Sequence, residues 1–437
     1  MLGRVRPSYE DRARLKEISG AILDRIEHLA RVRGLGLKAM LVGSAARGTW
    51  LAGDHDLDIF LGVPETTPLQ AALEIARLVA PEHDEKYAEH PYVHARVDGF
   101  EADLVPCYLV EDASQLKSAV DRTPFHTKYI ARRIAGLEDE VLLLKQFMKG
   151  IGVYGSELKV GGFSGYLVEL LVLCYGSFPG VLRAASSWRP GQLIDLEGHA
   201  KKAHDEPLVA VDPVDPRRNV AAALTMDKML QFAAASRAFL ANPSLDFFFP
   251  GPATPLSDEE LLAQLKARES SVIVVEFQAP PVVEDVLFPQ LHKAEESVRA
   301  LLERNGFRLL RSDVGSYRDR AMLLFEMEVW QLSRASRRLG PPVWEAEHLS
   351  KFLAAHPRSL SGPYIAEGRA VVELPRKYTR ARDLLAEELG SLSLGKHLSW
   401  AVRSGHNIYV GPELVRIDDE GFRVFLARYF QARARMG

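Results

Sequence analysis

The 437-residue sequence predicts an α+β chain of several domains: a small α/β head, a helical middle and an α+β C-terminal section. Three observations lead there. Over the first 110 residues, helical and strand periodicities alternate in a pattern that implies a mixed sheet. Residues 137–240 carry almost only helical periodicity. Beyond a Pro- and Gly-rich stretch at 242–260, strands and helices alternate again. Length suggests two to four domains at ~150 residues each.

The elements follow in order. In residues 8–33, Leu15, Ile18, Ile22, Ile26 and Leu29 recur at helical spacing. "KAMLV" reads as a short buried strand ending at the turn Gly43-Ser44, "DLDIFLGV" as a second strand and "PLQAALEIARLVAP" as a second helix. "YVHARV" and "FEADLVPCY" flank Asp98-Gly99, a two-residue hairpin signal. Thr123 before Pro124 opens a helical region, since proline suits the first turn of a helix. "EDEVLLLKQFMKGIG" is amphipathic, and an apolar helix starts near Ser164. The Pro-rich "VDPVDPRRN" interrupts the helical section, and "NPSLDFFFPGPATPLSDEE" has the composition of a linker. Then come a strand "SVIVVEFQ", a helix over 287–305, strands "GFRLLRS" and "AMLLFEMEVW", and "AVVEL" followed by helices. That order suggests an α+β sandwich like an RNA-recognition fold, without the aromatic stacking motif of a true one.

Composition narrows the function. With 47% apolar and 26% charged residues the chain reads as globular. No 18-residue uncharged apolar run predicts a membrane helix, and the N-terminal stretch has no signal-peptide core. The two cysteines, Cys107 and Cys174, have no metal-ligand spacing; a reducing, cytoplasmic setting and buried packing roles are expected for both. A net charge of −3 offers no bulk attraction for nucleic acid, so any such partner needs local patches. Basic clusters occur at 334–340, 375–382 and 427–437, each expected as a solvated helix face unless it is a binding stripe.

The chemistry concentrates in "LVGSAARGTWLAGDHDLDIFLGV". Side chains two apart on a strand share a face about 7 Å apart. Asp54, Asp56 and Asp58 have one parity, and Leu57, Ile59 and Leu61 the other. Aligned like charges destabilise a strand and need a reason. One is an edge that repels aggregation. The other is a divalent-metal site, for which "FEADLVP" supplies Asp103, with Glu101 on the same face. Oxygen-only donors favour Mg²⁺ completed by substrate phosphates, and hence phosphoryl or nucleotidyl transfer. The Gly43-Ser44 turn permits close backbone approach to a phosphate, and the Ser44 hydroxyl and Arg47 guanidinium add donors.

This combination resembles the nucleotidyltransferase superfamily that includes DNA polymerase β. "EHPYVHARVDGFEADLVPCY", "SAVDRTPFHTKYI", "LLKQFMKGIGVYGSELKVGGFSGYL" and "VDPVDPRRNVAAAL", with "LFPQL" and "SRRLGPP" further on, are similar to the archaeal, class I CCA-adding enzymes, which are tRNA nucleotidyltransferases. The resemblance implies a polymerase-β-like head over 1–136 and a helical neck over 137–250 that completes the nucleotide pocket. It also implies an RNA-binding C-terminal region over 251–437, with a tail lobe at roughly 302–375. It makes Asp56, Asp58 and Asp103 the ligands of two Mg²⁺ ions; Asp56 stands where the family often has Glu. Ser44, Arg47, His126, Lys145, Tyr154 and Arg218 become contacts to ATP or CTP. Read without the family, His126 is a packed helix-start residue, Lys145 a snorkelling side chain, Tyr154 a core residue and Arg218 a loop charge.

The implied activity is untemplated addition of C, C and A to the 3′ end of tRNA, gripped at its acceptor stem and TΨC arm, by a homodimer. Two alternatives stay open: another superfamily enzyme, such as a poly(A) polymerase or an antibiotic nucleotidyltransferase, and a non-catalytic RNA-binding protein.

Overall fold

The computed structural model describes residues 1–87, 89–157, 159–200 and 205–431. They form two compact units, the first spanning Met1–Gly251 and the second running from Pro252.

The first unit opens with α1 (Leu2–Val5) and α2 (Tyr9–Val32). Ser8 starts α2 through a capping box: its hydroxyl accepts from the Asp11 N–H at 3.0 Å, and the Asp11 carboxylate accepts from the Ser8 N–H at 2.9 Å. A five-stranded sheet follows, built from β1 (Lys38–Val42), β2 (Asp56–Val63), β3 (Asp84–Tyr87), β4 (Pro91–Val97) and β5 (Phe100–Tyr108) in the order β1-β2-β5-β4-β3. All pairs are antiparallel except β2 with β5. A parallel pair needs a crossover, which α4 (Leu69–Val79) and the β3–β4 ribbon provide; the short α3 (Gly43–Arg47) lies between β1 and β2. Leu57, Ile59, Leu61, Ala102 and Leu104 form one core with Ile26 and Ile75 of α2 and α4. Their parity turns the acidic residues of β2 and β5 to the opposite face. The Asp98-Gly99 turn is as expected, both residues having positive φ.

The helical part contains α5 (Thr123–Ala131), α6 (Glu138–Gly150), α7 (Gly165–Tyr175), α8 (Phe178–Ala185) and α9 (Met226–Ala241). It also holds a two-stranded parallel ribbon, β6 (Gln192–Ile194) with β7 (Leu208–Ala210), too short to show as a sequence period. Phe147 gathers Phe178, Phe232, Phe239, Phe247 and Phe248 around it. Part of the expected linker therefore packs on the core: Phe248 is buried in it, and Phe247 and Phe249 lie partly buried against it. No single described helix is long and apolar enough to cross a membrane. The one apolar pair that qualifies by length and composition, α7 with α8, is bent by 93° and contributes to the same core.

The second unit carries α10 (Asp258–Arg268), β8 (Ser271–Gln278), α11 (Glu284–Arg304), β9 (Arg308–Tyr317), β10 (Arg320–Val329), β11 (Ala335–Pro342), α12 (Ala346–Ala355), β12 (Ser361–Ala366), β13 (Arg369–Pro375), α13 (Ala381–Glu388), α14 (Lys396–Ser404), β14 (His406–Val410) and α15 (Glu420–Phe430). Its antiparallel sheet runs β14-β8-β10-β9, the interleaved order of a split βαβ fold. Helices α11, α13 and α14 pack on one face, and α10 and α15 on the other. With both faces covered, the sheet is not an open platform for stacked bases.

Two expectations are corrected here. Residues 334–340 lie largely in β11, not on a helix, because β11 pairs with β13 and places Arg337 opposite Glu373. The Arg376 N–H donates to the Arg334 carbonyl at 2.7 Å, so the 334–340 and 375–382 clusters meet at one end of this ribbon. The third cluster begins in α15, but its residues 432–437 lie outside the described residues. The second correction concerns the cysteines: Cys107 is buried as expected, whereas Cys174 is exposed near the end of α7.

Candidate functional site

β1 ends at Val42, and the chain turns at Gly43 with φ +69° into α3, which carries Ser44 and Arg47. The turn lies directly against β2: a Cβ on Gly43 would come 2.2 Å from Oδ2 of Asp58. Parallel registry sets Asp58 beside Asp103 and Asp56 beside Glu101, so four carboxylates occupy adjacent positions on two strands. On the far side of β5, His94 of β4 lies opposite Asp103; its Nδ1 is 2.5 Å from Asp103 Oδ1, and its Nε2 is 3.3 Å from Glu101 Oε2.

Crowding of like charge shows in the acidities. Burial pushes the Asp58 carboxyl up to about 6, with the negative charges of Asp103 and Asp56 adding to the shift. Asp56 is raised in the same way, first by partial burial, then by Asp54 and Asp103. The cluster is short of positive charge, and its donors are all oxygens, a set suited to a hard divalent cation. Among the described residues no three acidic, imidazole or thiol side chains already form a metal-sized cluster. The structure offers a register pair, Asp58 and Asp103, with Asp56 two residues along.

Asp54 is not part of the strand that carries this face. β2 begins at Asp56, and Asp54 sits in the preceding turn, where its carboxylate accepts from Lys149 Nζ of α6 at 2.9 Å. The parity argument fails for Asp54 because the strand starts only at Asp56 and Lys149 of α6 takes the Asp54 carboxylate.

Three of the sequence-predicted nucleotide contacts, Arg47, His126 and Arg218, lie on two buried acids that sequence reasoning missed. The first is Glu169, fully buried in α7. Its Oε1 accepts from Arg47 Nε at 2.9 Å and from the Thr49 hydroxyl at 2.5 Å. Arg47 Nη1 also donates to the Thr127 hydroxyl at 3.1 Å. Lys145 is not snorkelling: it is 3% exposed, and its Nζ donates to the Thr49 carbonyl at 2.8 Å. Burial lowers the Lys145 ammonium to about 8, against the opposing charge of Glu169. Tyr154 lies close by, since a Cβ on Gly165 would be 3.1 Å from its hydroxyl and 3.7 Å from Lys145 Nζ.

The second buried acid is Asp212. Its Oδ2 lies 2.8 Å from His126 Nε2 and accepts from Arg218 Nη1 at 3.0 Å; its Oδ1 accepts from the Val214 N–H at 3.0 Å and from the Tyr166 hydroxyl at 3.3 Å. The His126 ring stacks on Tyr166 with centroids 4.0 Å apart. Burial alone would raise the Asp212 carboxyl, but the hydrogen bond and charge of His126, the Val214 N–H and Arg218 outweigh it and hold it at about 2. Burial lowers His126. Because Asp212 is depressed below its unfolded value, its stabilisation is present above about pH 4 and is lost as pH falls towards 2. That contribution is roughly 2 kcal/mol. Acid titration followed by circular dichroism should show a stability loss in this window that is smaller in Asp212→Asn.

A signal for Glu169 was present, since it is the only charge within the apolar "GYLVELLVLCY". Asp212 had none beyond its Pro-rich loop. Ser44, Arg47, Asp56, Asp58, Asp103, His126, Lys145, Tyr154 and Arg218 all lie in the first unit. Contacts define three groups: the strand acids behind Gly43, Arg47 on Glu169 with Lys145 on the adjoining Thr49, and His126 with Arg218 on Asp212.

Comparison with known proteins is consistent along the whole chain. Residues 22–126 match the nucleotidyltransferase domain family, 139–249 the second domain of tRNA nucleotidyltransferase, and 268–411 the C-terminal domain of the CCA-adding enzyme. A CCA-adding enzyme of Methanosarcina barkeri is 46% identical over 98% of this chain and 97% of its own. One from Methanothermobacter thermautotrophicus is 43% identical over 98% and 96%. One from Haloarcula marismortui is 37% identical over 99% and 98%.

Proposed function

The chain belongs to the CCA-adding enzyme family, and on that footing we propose how it adds C, C and A to the 3′ end of tRNA from CTP and ATP. Residues 1–136 act as the catalytic head, 137–250 as the neck that completes the nucleotide pocket, and 251–437 as the RNA-binding region, with a tail lobe at roughly 302–375.

Asp56, Asp58 and Asp103 would hold two Mg²⁺ ions, which when bound acidify the tRNA terminal hydroxyl and offset charge on the departing pyrophosphate. The residues of the chain supply the rest. Gly43 lets the triphosphate approach the backbone, and Ser44, Arg47 and Lys145 donate to its oxygens. Tyr154 borders the same pocket. His126 and Arg218, both held by Asp212, face the base, where a mismatched partner leaves buried polar groups unpaired and so disfavours the wrong nucleotide.

The observation that carries this reading is the parallel register of Asp58 with Asp103, set against a glycine turn where a Cβ would meet the Asp58 carboxylate. The test is incubation with labelled CTP and ATP and a tRNA lacking its 3′ CCA. Growth that stops after three nucleotides is expected. Unlimited extension with ATP alone would instead indicate a poly(A) polymerase, and no extension a non-catalytic RNA-binding protein.

The tRNA would be held at its acceptor stem and TΨC arm by shape and backbone contacts, by a homodimer in the cytoplasm. The joined basic clusters at 334–340 and 375–382 are the candidate phosphate contacts. Affinity for tRNA should then fall by about tenfold or more between roughly 50 and 200 mM salt, as counterion release requires. Filter binding measures this directly, and a flat salt dependence would remove those clusters from the account.

A further inference from the structure

We infer that Glu169 is a positioning residue for the incoming nucleotide: it sets the guanidinium of Arg47 and, through Thr49, the ammonium of Lys145 for the triphosphate. The inference deepens the proposed function and rests on its reading of Arg47 and Lys145 as triphosphate contacts.

Glu169 is the only charged residue in α7, and its side chain has no exposure. Burying a carboxylate in an apolar helix costs several kcal/mol unless partners offset it. Hydrophobic packing alone would favour leucine at this position, so the charge needs another reason. The groups that donate to its side chain do not come from its own helix. Arg47 and Thr49 both belong to the segment between the Gly43 turn and β2, and both donate to one oxygen, Oε1. Oε2 is buried with no hydrogen-bond partner.

This arrangement constrains direction. Glu169 holds Arg47 by Nε and Thr127 holds it by Nη1, which orients the planar fork; no hydrogen bond occupies Nη2 among the described residues. Thr49 is used at both ends: its hydroxyl is tied to Glu169, and its carbonyl receives Lys145 Nζ. Gly165, at the start of α7, leaves open the space where Lys145 Nζ and the Tyr154 hydroxyl converge. Glu169 is also the strongest charge opposing the loss of the Lys145 proton, which burial, Arg47 and Lys149 all promote. One buried acid thus orients one phosphate donor and helps keep a second charged.

The experiment is steady-state kinetics of CTP and ATP addition to tRNA lacking its CCA end, with Glu169→Gln, which keeps the shape and removes the charge. The KM for both nucleotides is expected to rise about tenfold, the scale of one misdirected charge-assisted contact. The KM for tRNA should stay within about twofold and kcat within about threefold, because the strand acids are untouched. The double variant Arg47→Gln/Glu169→Gln should have a nucleotide KM above that of Arg47→Gln alone but below the product of the two single effects, since the Arg47 share of the Glu169 effect is already lost and only the share acting through Thr49 and Lys145 remains.

If Glu169→Gln does not fold, Thr49→Val removes one of the two donors to Oε1 at nearly constant shape. It is then expected to raise the nucleotide KM about threefold. A folded Glu169→Gln with lower Tm and unchanged nucleotide KM overturns the inference and leaves Glu169 a structural ion-pair partner. An Arg47→Gln variant with unchanged nucleotide KM would instead overturn the underlying triphosphate reading.

Discussion

Asp58→Asn is expected to lower nucleotide incorporation by about a thousandfold or more, the scale of removing a group that acts on charge developing in the transition state. Binding of tRNA should change by less than about twofold, because Asp58 lies on the sheet of the head and the basic clusters belong to the second unit. Single-turnover incorporation and filter binding on the same preparation separate the two effects. Retained incorporation with lost tRNA binding would contradict the role assigned to Asp58.

The same variant should not be less stable when divalent cations are absent. The folded-state carboxyl of Asp58 is raised to about 6, above the ordinary value of 3.8. The ionised form is therefore disfavoured by folding. That penalty is absent well below pH 4, grows as pH rises through 6, and is fully present at neutral pH. Its upper limit is about 3 kcal/mol before solvent screening and relaxation reduce it. Asp58→Asn should accordingly raise Tm at pH 7.5 without divalent cation and leave it nearly unchanged at pH 4. A lower Tm at pH 7.5 would mean that Asp58 carries a stabilising contact which the register pair does not show. Loss of activity with gain of stability is the pattern expected where function concentrates like charge.

The second large effect is expected from Gly43→Ala. A φ of +69° costs an alanine about 1–2 kcal/mol in backbone strain. Its Cβ would also lie 2.2 Å from Oδ2, 3.1 Å from Cγ and 3.4 Å from Cβ of Asp58. Backbone turn and strand must separate, or the Asp58 carboxylate must swing away. A displacement of about 1 Å at a reacting centre can cost a hundredfold, so kcat/KM is expected to fall by roughly that factor.

Gly48 supplies the control. It also has φ +69°, but a Cβ placed there would meet nothing within 4 Å. Gly48→Ala should lose a similar amount of stability while keeping most of its activity. Equal activity losses in the two variants would show that strain in the turn matters, and not the contact with Asp58.

Much of the head was legible because its signals are local. Alternation in "DLDIFLGV" and "FEADLVPCY" follows from strand geometry, so placing Leu57, Ile59 and Leu104 in the core turned Asp56, Asp58 and Asp103 outward. Asp98-Gly99 specified a hairpin through its tolerance of positive φ. Where local signals were weak, the sequence misled. The run 334–340 has too few apolar residues to show a period, and only its pairing partner β13 makes it a strand. Phe248 sits among prolines and glycines, and only the surrounding phenylalanines reveal it as core.

By itself the sequence determined most segments of the head that extend or coil, which face of β2 is acidic and which family the motifs resemble, because these depend on residues a few positions apart. Only the tertiary structure decided that Asp58 stands beside Asp103, that Asp54 belongs to Lys149, that Glu169 holds Arg47 and that Asp212 holds His126 and Arg218. The physical reason is the range of the interactions. A strand pair or a buried ion pair joins residues 45 to 122 positions apart, and its energy depends on burial that no short window of sequence contains.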